Sequence, residues 1–290
     1  MAEPRRMWHR EEFEIGRMIG KGKFSEIFVA RDRKSKFVVA MKILKKRQID
    51  SYEMIPELHR ELSIHSGLRH ENVIRLYGYF HDAERVYIVL EAATGGNIFE
   101  LIRKVHTLPV PRAAYYLHQV VRAAIYLHEK GVIHRDITPE NLLLTGKDRI
   151  KLADFGWSVH DTPSVSLMTS CGNPDYIAPE IIEERPHDHT VDNWSIGVLL
   201  FEFLVGEAPF QDNFSLQKSV ARIRHVSYLF PDGFPAGAKD IVSKLLTRDI
   251  KQRMPLPDLM AHAWLTAGCS LYLRNEGVNG NCEARTVSSQ

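Results

Sequence analysis

The chain has 290 residues, and its 44% apolar and 26% charged residues match ordinary soluble globular proteins. Its 38 basic and 36 acidic side chains leave a net charge of +2, which gives no reason to expect nucleic acid or an anionic membrane as the main partner. No run of about 18 apolar residues is present, and the charged start from Met1 to Glu11 has no apolar segment behind it. We therefore expect an intracellular protein.

The cysteines Cys171, Cys269 and Cys282 are odd in number and lack the paired spacing of a zinc site. This pattern is typical of free thiols in a reducing compartment. We expect neither a structural disulfide nor a structural metal.

The first part of the chain is predicted to form an antiparallel sheet with one helix. Apolar and polar residues tend to alternate from Phe13 to Lys45, with interrupting glycines, as in strands joined by tight turns. Apolar residues between Glu57 and Leu68 recur near helical spacing, and Gly67 is a plausible helix breaker. Another strand-like run, Val86 to Glu91, follows.

Beyond Thr94-Gly95-Gly96 the spacing of apolar residues favours helices. The predicted helices are Ala113 to Lys130, Val191 to Gly206, Ala238 to Thr247 and Leu256 to Trp264. Residues 266–290 are polar and rich in Gly, Asn and Ser without periodicity, so we predict a flexible tail. The fold class is therefore α+β, with a small β-rich part before a larger α-rich part.

A glycine-rich segment and two charged residues are candidates for phosphate binding. Gly20-Lys21-Gly22-Lys23-Phe24-Ser25 lies between two predicted strands, where backbone N–H groups can approach phosphates without obstruction by Cβ atoms, although a plain hairpin turn is the alternative. Lys42 ends an apolar strand, and Glu61 lies in the only helix of the β-rich part. An ion pair between them would hold the ammonium group against nucleotide phosphates. Taken alone, each residue is more commonly a solvated side chain.

The most specific motif runs from His134 to Asn141 and places a carboxylate and an amide five residues apart in a polar loop. Asp136 is the candidate to accept a proton from a substrate hydroxyl, and Asn141 the candidate to bind Mg²⁺. Asp154, in Asp154-Phe155-Gly156, follows an apolar strand-like run. A hard cation favours carboxylate oxygens, so we predict Asp154 to be the main Mg²⁺ ligand.

Ala178-Pro179-Glu180 closes a segment that opens at Asp154. Its polar residues are candidate phosphorylation sites, namely Ser164, Ser166, Thr169 and Ser170. The segment is therefore predicted to be an activation segment. The ordered series of glycine-rich hairpin, strand lysine, helix glutamate, catalytic loop, metal-binding aspartate and Ala-Pro-Glu is very improbable by chance.

This series resembles the protein kinase superfamily from about Phe13 to Leu265, and within it the Aurora kinases. The segments that carry the resemblance are Gly20-Lys21-Gly22-Lys23-Phe24, Leu68-Arg69-His70, Arg75 to Asp82, Pro139 to Leu144 and above all Asp154-Phe155-Gly156-Trp157-Ser158-Val159-His160. The resemblance implies a bilobal kinase fold over residues 13–265. Its parts would be an N-lobe at about 13–90, a hinge at 91–95 and a C-lobe at 96–265, after an N-terminal tail of residues 1–12.

The resemblance also implies ATP and Mg²⁺ as cofactors. Leu90 would be the gatekeeper beside adenine, and Glu91 and Ala93 of the hinge would offer it backbone hydrogen bonds. The other residues that the resemblance assigns to ATP are Ile19, Gly20, Lys21, Gly22, Ile27, Ala40, Lys42, Glu140, Asn141, Leu143 and Asp154. The catalytic set would be Lys42, Glu61, Asp136 and the residue at position 138, which is Thr138 here.

Aurora kinases phosphorylate mitotic, chromosomal or spindle proteins at Ser/Thr sites preceded by arginine. Carboxylates bind guanidinium groups, so Glu140 and Glu202 are the candidates for recognising that arginine. Thr169 resembles the activation-loop phosphosite, and its phosphate would pair with Arg60 and Arg135. The resemblance further implies a small-lobe activator, inner-centromere-protein-like or spindle-protein-like, and a location on nuclear chromosomes or on the spindle and cytoskeleton.

Two substitutions depart from the family pattern. Thr138 stands where most serine/threonine kinases have a lysine that steadies the γ-phosphate, and Asn173 replaces a threonine that supports the same contact. One alternative is therefore a weak or inactive pseudokinase scaffold. Another is a polo-like catalytic domain, since some polo-like kinases have threonine at the lysine position and residues 172–180 favour polo sequences. We expect an active enzyme, because Lys42, Glu61, Asp136, Asn141 and Asp154 are all present.

Overall fold

The computed structural model describes residues 8–22, 24–51, 54–161 and 173–277. The strands in this part are β1 (Phe13–Lys21), β2 (Ser25–Asp32), β3 (Val38–Lys45), β4 (Leu76–His81), β5 (Arg85–Glu91), β6 (Val132–Ile133), β7 (Leu142–Leu144), β8 (Ile150–Leu152) and β9 (Val159–His160). The α-helices are α1 (Lys46–Ser51), α2 (Ile55–Ser66), α3 (Ile98–Val105), α4 (Val110–Glu129), α5 (Pro179–Ile182), α6 (Thr190–Val205), α7 (Leu216–His225), α8 (Ala236–Leu245), α9 (Leu256–Ala261) and α10 (Ala263–Asn275). Short 3₁₀ helices include Pro139–Asn141 and Pro174–Tyr176.

The N-terminal lobe is built on a five-stranded antiparallel sheet in the order β1-β2-β3-β5-β4. Strand β3 shows why the alternating pattern forms this sheet. Val39 and Met41 are buried in a cluster with Phe13, while Ala40 and Lys42 point to the opposite face. One face of the sheet therefore forms a small core, and the other face is left for the cleft between the lobes.

Helix α2 packs beside this sheet and carries Glu61. Leu62 packs into a second small core with residues of β3, β4 and β5, whereas Ile64 packs into the main core of the C-terminal lobe. Because the helix contacts both cores, Glu61 is held at the junction between the two lobes.

The C-terminal lobe is built around helices α4 and α6. Helix α6 is buried along most of its length because α4 and α8 pack against it. The helix ends at Gly206, whose φ of 91° lies in the left-handed region that favours glycine. The predicted α+β arrangement of a small β-rich lobe and a larger helical lobe is confirmed. None of the helices in the described part of the chain combines the length and apolar character that a membrane span requires.

The prediction of a flexible tail from residue 266 is wrong as far as Asn275, because helix α10 continues to that residue. Leu265, Cys269 and Leu273 are buried at a spacing of four residues, and the helix packs mainly against α4. At Gly268 a Cβ atom would lie only 2.6 Å from the Cβ atom of Ala114, so the two helices are in close contact. The helix itself is mostly apolar, and the composition rich in Gly, Asn and Ser belongs to the residues after Asn275.

Two further expectations for this region are also wrong. Cys269 is disulfide-bonded, which contradicts the expectation that no structural disulfide is present. Distance along the chain does not tell which cysteines meet in space. The predicted helix from Leu256 to Trp264 is divided at His262, whose extended ψ of 130° ends α9 and whose side chain caps α10 by accepting a hydrogen bond from the backbone of Trp264.

Candidate active site

The central feature of the cleft is an ion pair between the sheet and helix α2. The Nζ atom of Lys42 lies 2.8 Å from Oε1 of Glu61 and 3.6 Å from Oδ1 of Asp154. Burial alone would lower the pKa of Lys42, but the carboxylates of Asp154 and Glu61 outweigh that effect and raise it. The lysine therefore stays charged, and it joins three separate elements of the fold.

Asp154 follows β8 in a left-handed backbone conformation with a φ of 62°. The positive charge of Lys42 lowers the pKa of Asp154, so its carboxylate is ionised. The next residue, Phe155, is fully buried, with its ring centroid 4.4 Å from that of His65 and 5.0 Å from that of His134. This packing fixes the direction in which the Asp154 side chain points.

Asp192 of helix α6 holds the loop between His134 and Asn141 through hydrogen bonds. The backbone N–H groups of His134 and Arg135 donate to the Asp192 carboxylate at 2.9 and 2.8 Å, and Nε2 of His128 lies 2.8 Å from it. Arg135 has a φ of 66°, an uncommon conformation for a residue other than glycine. A buried carboxylate in the C-terminal core thus holds the loop in a fixed shape.

Asp136 and Asn141 meet at the end of this loop. The Nδ2 atom of Asn141 donates to Oδ2 of Asp136 at 2.6 Å and to its backbone oxygen at 2.9 Å. Burial raises the pKa of Asp136 to about 6, against the opposing effect of the Asn141 hydrogen bond. A carboxylate with this pKa is suited to accept a proton near neutral pH.

The residues predicted to line a nucleotide pocket share one face of the N-terminal sheet. Directly opposed residues of antiparallel strands lie on the same face. The register pairs Gly20 with Ile27, Ile27 with Lys42 and Ala40 with Leu90. These residues therefore face the same side as the Lys42 ion pair.

The remaining residues of the predicted glycine-rich segment lie next to that face. Ile19 and Lys21 are in β1, and the backbone N–H of Gly22 donates to the oxygen of Ser25 at 2.8 Å to close the predicted hairpin. Lys23 lies outside the described residues.

The connection between the lobes follows Glu91 at the end of β5. The backbone N–H of Gly95 donates to the oxygen of Leu144, and the N–H of Leu144 donates to the oxygen of Gly96, so the connection is paired with β7. Leu143 alternates with two buried leucines and so faces away from the C-terminal core, towards the cleft. Among the described residues, the N–H of Ala93 has no backbone acceptor. The role of this N–H in binding adenine stays a prediction.

The donor set fits a magnesium–nucleotide complex better than a metal ion held by protein alone. No cluster of three or more His, Cys, Asp or Glu side chains suited to a metal ion occurs in residues 8–22, 24–51, 54–161 and 173–277. Mg²⁺ in nucleotide sites usually takes only one or two protein ligands and is completed by phosphates and water. Asn141 commits its Nδ2 atom to Asp136, which leaves its amide oxygen for a cation, and Asp154 supplies an ionised carboxylate.

The two departures from the kinase pattern lie close to Asp136. The Thr138 side chain is 2% exposed and carries no charge to replace the expected lysine. The side chain of Asn173 caps the 3₁₀ helix at Pro174 by accepting from the N–H of Asp175 at 3.1 Å. The backbone of Asn173 lowers the pKa of Asp136 and so favours its ionised form. The Asn173 side chain is thus committed to Asp175.

Glu202 lies in helix α6 and accepts a 2.5 Å hydrogen bond from the hydroxyl group of Tyr176. Burial, together with the charges of Glu140 and Asp175, raises the pKa of Glu202 to about 7. Glu140 is exposed on the 3₁₀ helix that contains Asn141. The two predicted arginine-binding carboxylates therefore contribute to one acidic region.

The predicted phosphosite Thr169 lies outside the described residues, as do Ser164, Ser166 and Ser170. Of its predicted partners, Arg135 donates from Nε to the backbone oxygen of Trp157 at 2.7 Å. The Nε atom of Arg60 is buried without a hydrogen-bond partner among the residues that the structure describes. A buried guanidinium nitrogen in this state is suited to an incoming anion.

Sequence reasoning did not single out Asp192, His128 or His65. Asp192 had a visible signal, because it is a charged residue near the start of a predicted helix that is mainly apolar. His65 had none, since its 2.7 Å contact from Nε2 to the backbone oxygen of Ile74 depends on where β4 lies.

Comparison with known proteins agrees with this geometry. Residues 13–265 match the protein kinase domain family. Aurora kinase A-A of Xenopus laevis is 46% identical over 276 residues, which cover 95% of this chain and 67% of the relative. Aurora kinase A-B of Xenopus laevis is 48% identical, with coverages of 90% and 64%. Aurora kinase B of Mus musculus is 46% identical, with coverages of 89% and 74%.

The chain thus spans about two thirds of the length of the first relatives that it matches. Members of this family use ATP and Mg²⁺ as cofactors, in keeping with the donor set at Asn141 and Asp154. With the kinase domain matched over most of the chain and identities of 45–48% to the Aurora relatives, the chain belongs to the protein kinase family as a serine/threonine kinase domain of the Aurora type.

Proposed function

We propose that this chain is an active kinase that transfers the γ-phosphoryl group of ATP to serine or threonine hydroxyls of proteins. The observation that carries this proposal is the network in which Lys42 contacts both Glu61 and Asp154. Holding the lysine and the metal-binding aspartate in place together is a requirement of phosphoryl transfer in protein kinases. The network links β3, α2 and the residue after β8, so all three elements are already arranged for catalysis.

The residues of the site have separate tasks in this proposal. Asp136 accepts the proton of the substrate hydroxyl, and Asn141 holds Asp136 in position through its Nδ2 atom. Asp154 and the amide oxygen of Asn141 would hold the cation, and Lys42 would hold the nucleotide phosphates. When bound, ATP with Mg²⁺ supplies the phosphoryl group and neutralises its charge. The backbone at Glu91 and Ala93 would bind the adenine ring.

We propose that the protein substrates carry arginine before the acceptor residue. Glu202 and Glu140 supply the negative charge that a guanidinium group requires, and they are close enough for one to influence the pKa of the other. The same proposal includes protein targets on mitotic chromosomes or the spindle and a location there, and membership of the Aurora type supports it. A small-lobe activator of the inner-centromere or spindle type, and phosphorylation of Thr169 with pairing to Arg60 and Arg135, are part of the same proposal.

The activity is tested by incorporation of labelled phosphate from ATP and Mg²⁺ into a peptide with arginine before its serine. Wild type is compared with Asp154→Ala and with Asp232→Ala, which removes an exposed carboxylate far along the chain from the site motifs. We expect Asp154→Ala to abolish transfer and Asp232→Ala to retain it. Transfer that survives in Asp154→Ala would contradict the proposal.

A pseudokinase scaffold is the second candidate, and the observation that favours it is the uncharged Thr138 beside Asp136. Thr138→Lys restores the cation, so we expect it to raise kcat by about tenfold or more, because one electrostatic contact in a transition state has an effect of that order. Thr138→Met has a similar side-chain volume without the charge and should not raise kcat. Absence of transfer in the wild type, with Thr169 phosphorylated and an activator present, would favour the scaffold.

A further inference from the structure

A separate pocket lies behind the connection between the lobes, on the face opposite the nucleotide cleft. It encloses about 370 Å³ and is lined by Arg69, His70, Glu71, Arg75, Tyr77, Glu91 and Lys151. Strand alternation explains its position, because Glu91 follows Leu90 and must point to the other side of the sheet. Lys151 likewise alternates with two buried residues of β8. A volume of this size accommodates a few side chains of a ligand.

The pocket has more positive than negative charge. Its two carboxylates already have partners: Glu91 pairs with Lys151 at 2.7 Å, and Glu71 pairs with Arg122 and Arg149 at its edge. The guanidinium groups of Arg69 and Arg75 have no carboxylate partner in the described part of the chain. Two arginines therefore remain available to bind an acidic ligand.

The titration of His70 agrees with this positive field. Burial, together with the charges of Arg122 and Lys151, lowers the pKa of His70 to about 4. His70 is therefore neutral at physiological pH and stacks on Tyr126 with a centroid separation of 5.0 Å. The positive charge that faces a ligand comes from the arginines.

An aromatic wall adjoins Arg75 in this pocket. The guanidinium of Arg75 lies 5.4 Å from the centroid of the Tyr77 ring, and Phe37 packs edge-on against that ring at 5.6 Å. Phe37 is 54% exposed and Val38, at the start of β3, is 45% exposed. Large apolar side chains with this exposure beside a polar pocket are typical of a surface that binds a partner.

We propose that this pocket binds an acidic peptide segment of a partner protein, with its carboxylates on Arg69 and Arg75 and one aromatic side chain against Tyr77 and Phe37. Arginine binds carboxylates through paired hydrogen bonds, and aromatic residues are common anchors of protein interfaces. The surplus of positive charge selects an acidic partner, and the apolar rim selects a peptide over a simple anion.

The test uses a fluorescent seven-residue peptide in which a central phenylalanine is flanked on each side by three acidic residues. Its binding to the whole chain is measured by fluorescence anisotropy at low and moderate salt. The pocket variant is Arg69→Glu with Arg75→Glu, and the matched control is Arg224→Glu, an exposed arginine on helix α7. A second variant, Phe37→Ser, removes the apolar rim.

We expect saturable binding that weakens about tenfold or more in the double arginine variant and severalfold in Phe37→Ser. Arg224→Glu should bind like the wild type, and a peptide with lysines in place of the acids should not bind. The proposal is overturned if the acidic peptide does not bind, or if the double variant binds it as tightly as Arg224→Glu. It is also overturned if inorganic tripolyphosphate displaces the peptide and Phe37→Ser has no effect, since the pocket would then be a simple anion site. Self-association that the double variant abolishes, measured by sedimentation, would assign the surface to a second copy instead.

Discussion

Asp136 makes the chemical step depend on pH. Burial raises its pKa to about 6, and only the ionised carboxylate can accept the hydroxyl proton. The site is therefore inactive when Asp136 is protonated, and we expect kcat to rise with pH and level off above about 6. The measurement is kcat at saturating ATP and peptide between pH 5 and 8. A fall in kcat centred near pH 4, the ordinary pKa of an aspartate, would contradict the proposed environment of Asp136.

Glu202 gives a second pH dependence, which concerns substrate binding. Its pKa of about 7 lies above the ordinary value, so the carboxylate that binds arginine is formed as the pH rises through 7. We expect KM for an arginine-containing peptide to fall between pH 6 and 8, while a peptide with glutamine at that position shows no such change. Tyr176→Phe removes a hydrogen bond that favours the ionised form and should move the fall in KM to higher pH. The same pH dependence for both peptides would show that Glu202 does not bind the arginine.

Residues that act through local spacing could be predicted from the sequence, and residues that act through distant contacts could not. Asp136 and Asn141 lie in one short loop, so their contact follows from five residues of separation. The Lys42–Glu61 pair spans 19 residues and was predicted only because the motif series supplied the context. Asp192 and His65 contact residues that only the folded chain brings near them. The spacing of residues along the sequence does not predict such contacts.

Helix α10 gives a prediction at the scale of a single element. Leu273 is 7% exposed on the face that packs against α4, whereas Leu271 is 42% exposed on the same helix. Leu273→Ala removes buried methyl groups and leaves a cavity, so we expect a loss of about 2–4 kcal/mol in the free energy of unfolding. Leu271→Ala should change it by about 0.5 kcal/mol or less. Urea denaturation measures both, and a loss of about 0.5 kcal/mol or less for Leu273→Ala would show that α10 is not packed as part of the folded domain.

Helices and strands were predicted well where apolar residues recur with a clear period in the sequence. Helix α2 has apolar residues at helical spacing, so the prediction of a helix between Glu57 and Leu68 lies close to the observed Ile55–Ser66. The stretch from Phe13 to Lys45 was predicted as strands without separate bounds, and Lys42 lies inside β3 rather than at its end. Helix α10 is mostly apolar, and it was missed because the Gly, Asn and Ser of the residues after Asn275 were taken as typical of the whole stretch from residue 266. The break at His262 was missed because no proline or glycine marks it.

At the scale of the whole molecule, the cleft depends on contacts that join the two lobes. Lys42 from the sheet reaches Asp154 of the C-terminal lobe, and His65 of α2 packs on Phe155. A ligand held by residues of both lobes binds the folded chain and not the unfolded one, so it must stabilise the domain. This coupling makes nucleotide binding measurable without catalysis.

We therefore expect ATP with Mg²⁺ to raise the melting temperature of the wild type. At a hundredfold excess over Kd the stabilisation is about 2.7 kcal/mol, which corresponds to roughly 5–10 °C for a domain of this size. Asp136→Asn removes the proton acceptor but no cation ligand, and it should show a similar rise. Asp154→Asn removes a carboxylate from the cation site and should lose most of the Mg²⁺-dependent rise in melting temperature. This rise is measured as the difference between the melting temperatures with ATP and Mg²⁺ and with ATP and EDTA. If Asp154→Asn retained the full difference, Asp154 would not be the main cation ligand, and the division of tasks between Asp136 and Asp154 would have to be abandoned.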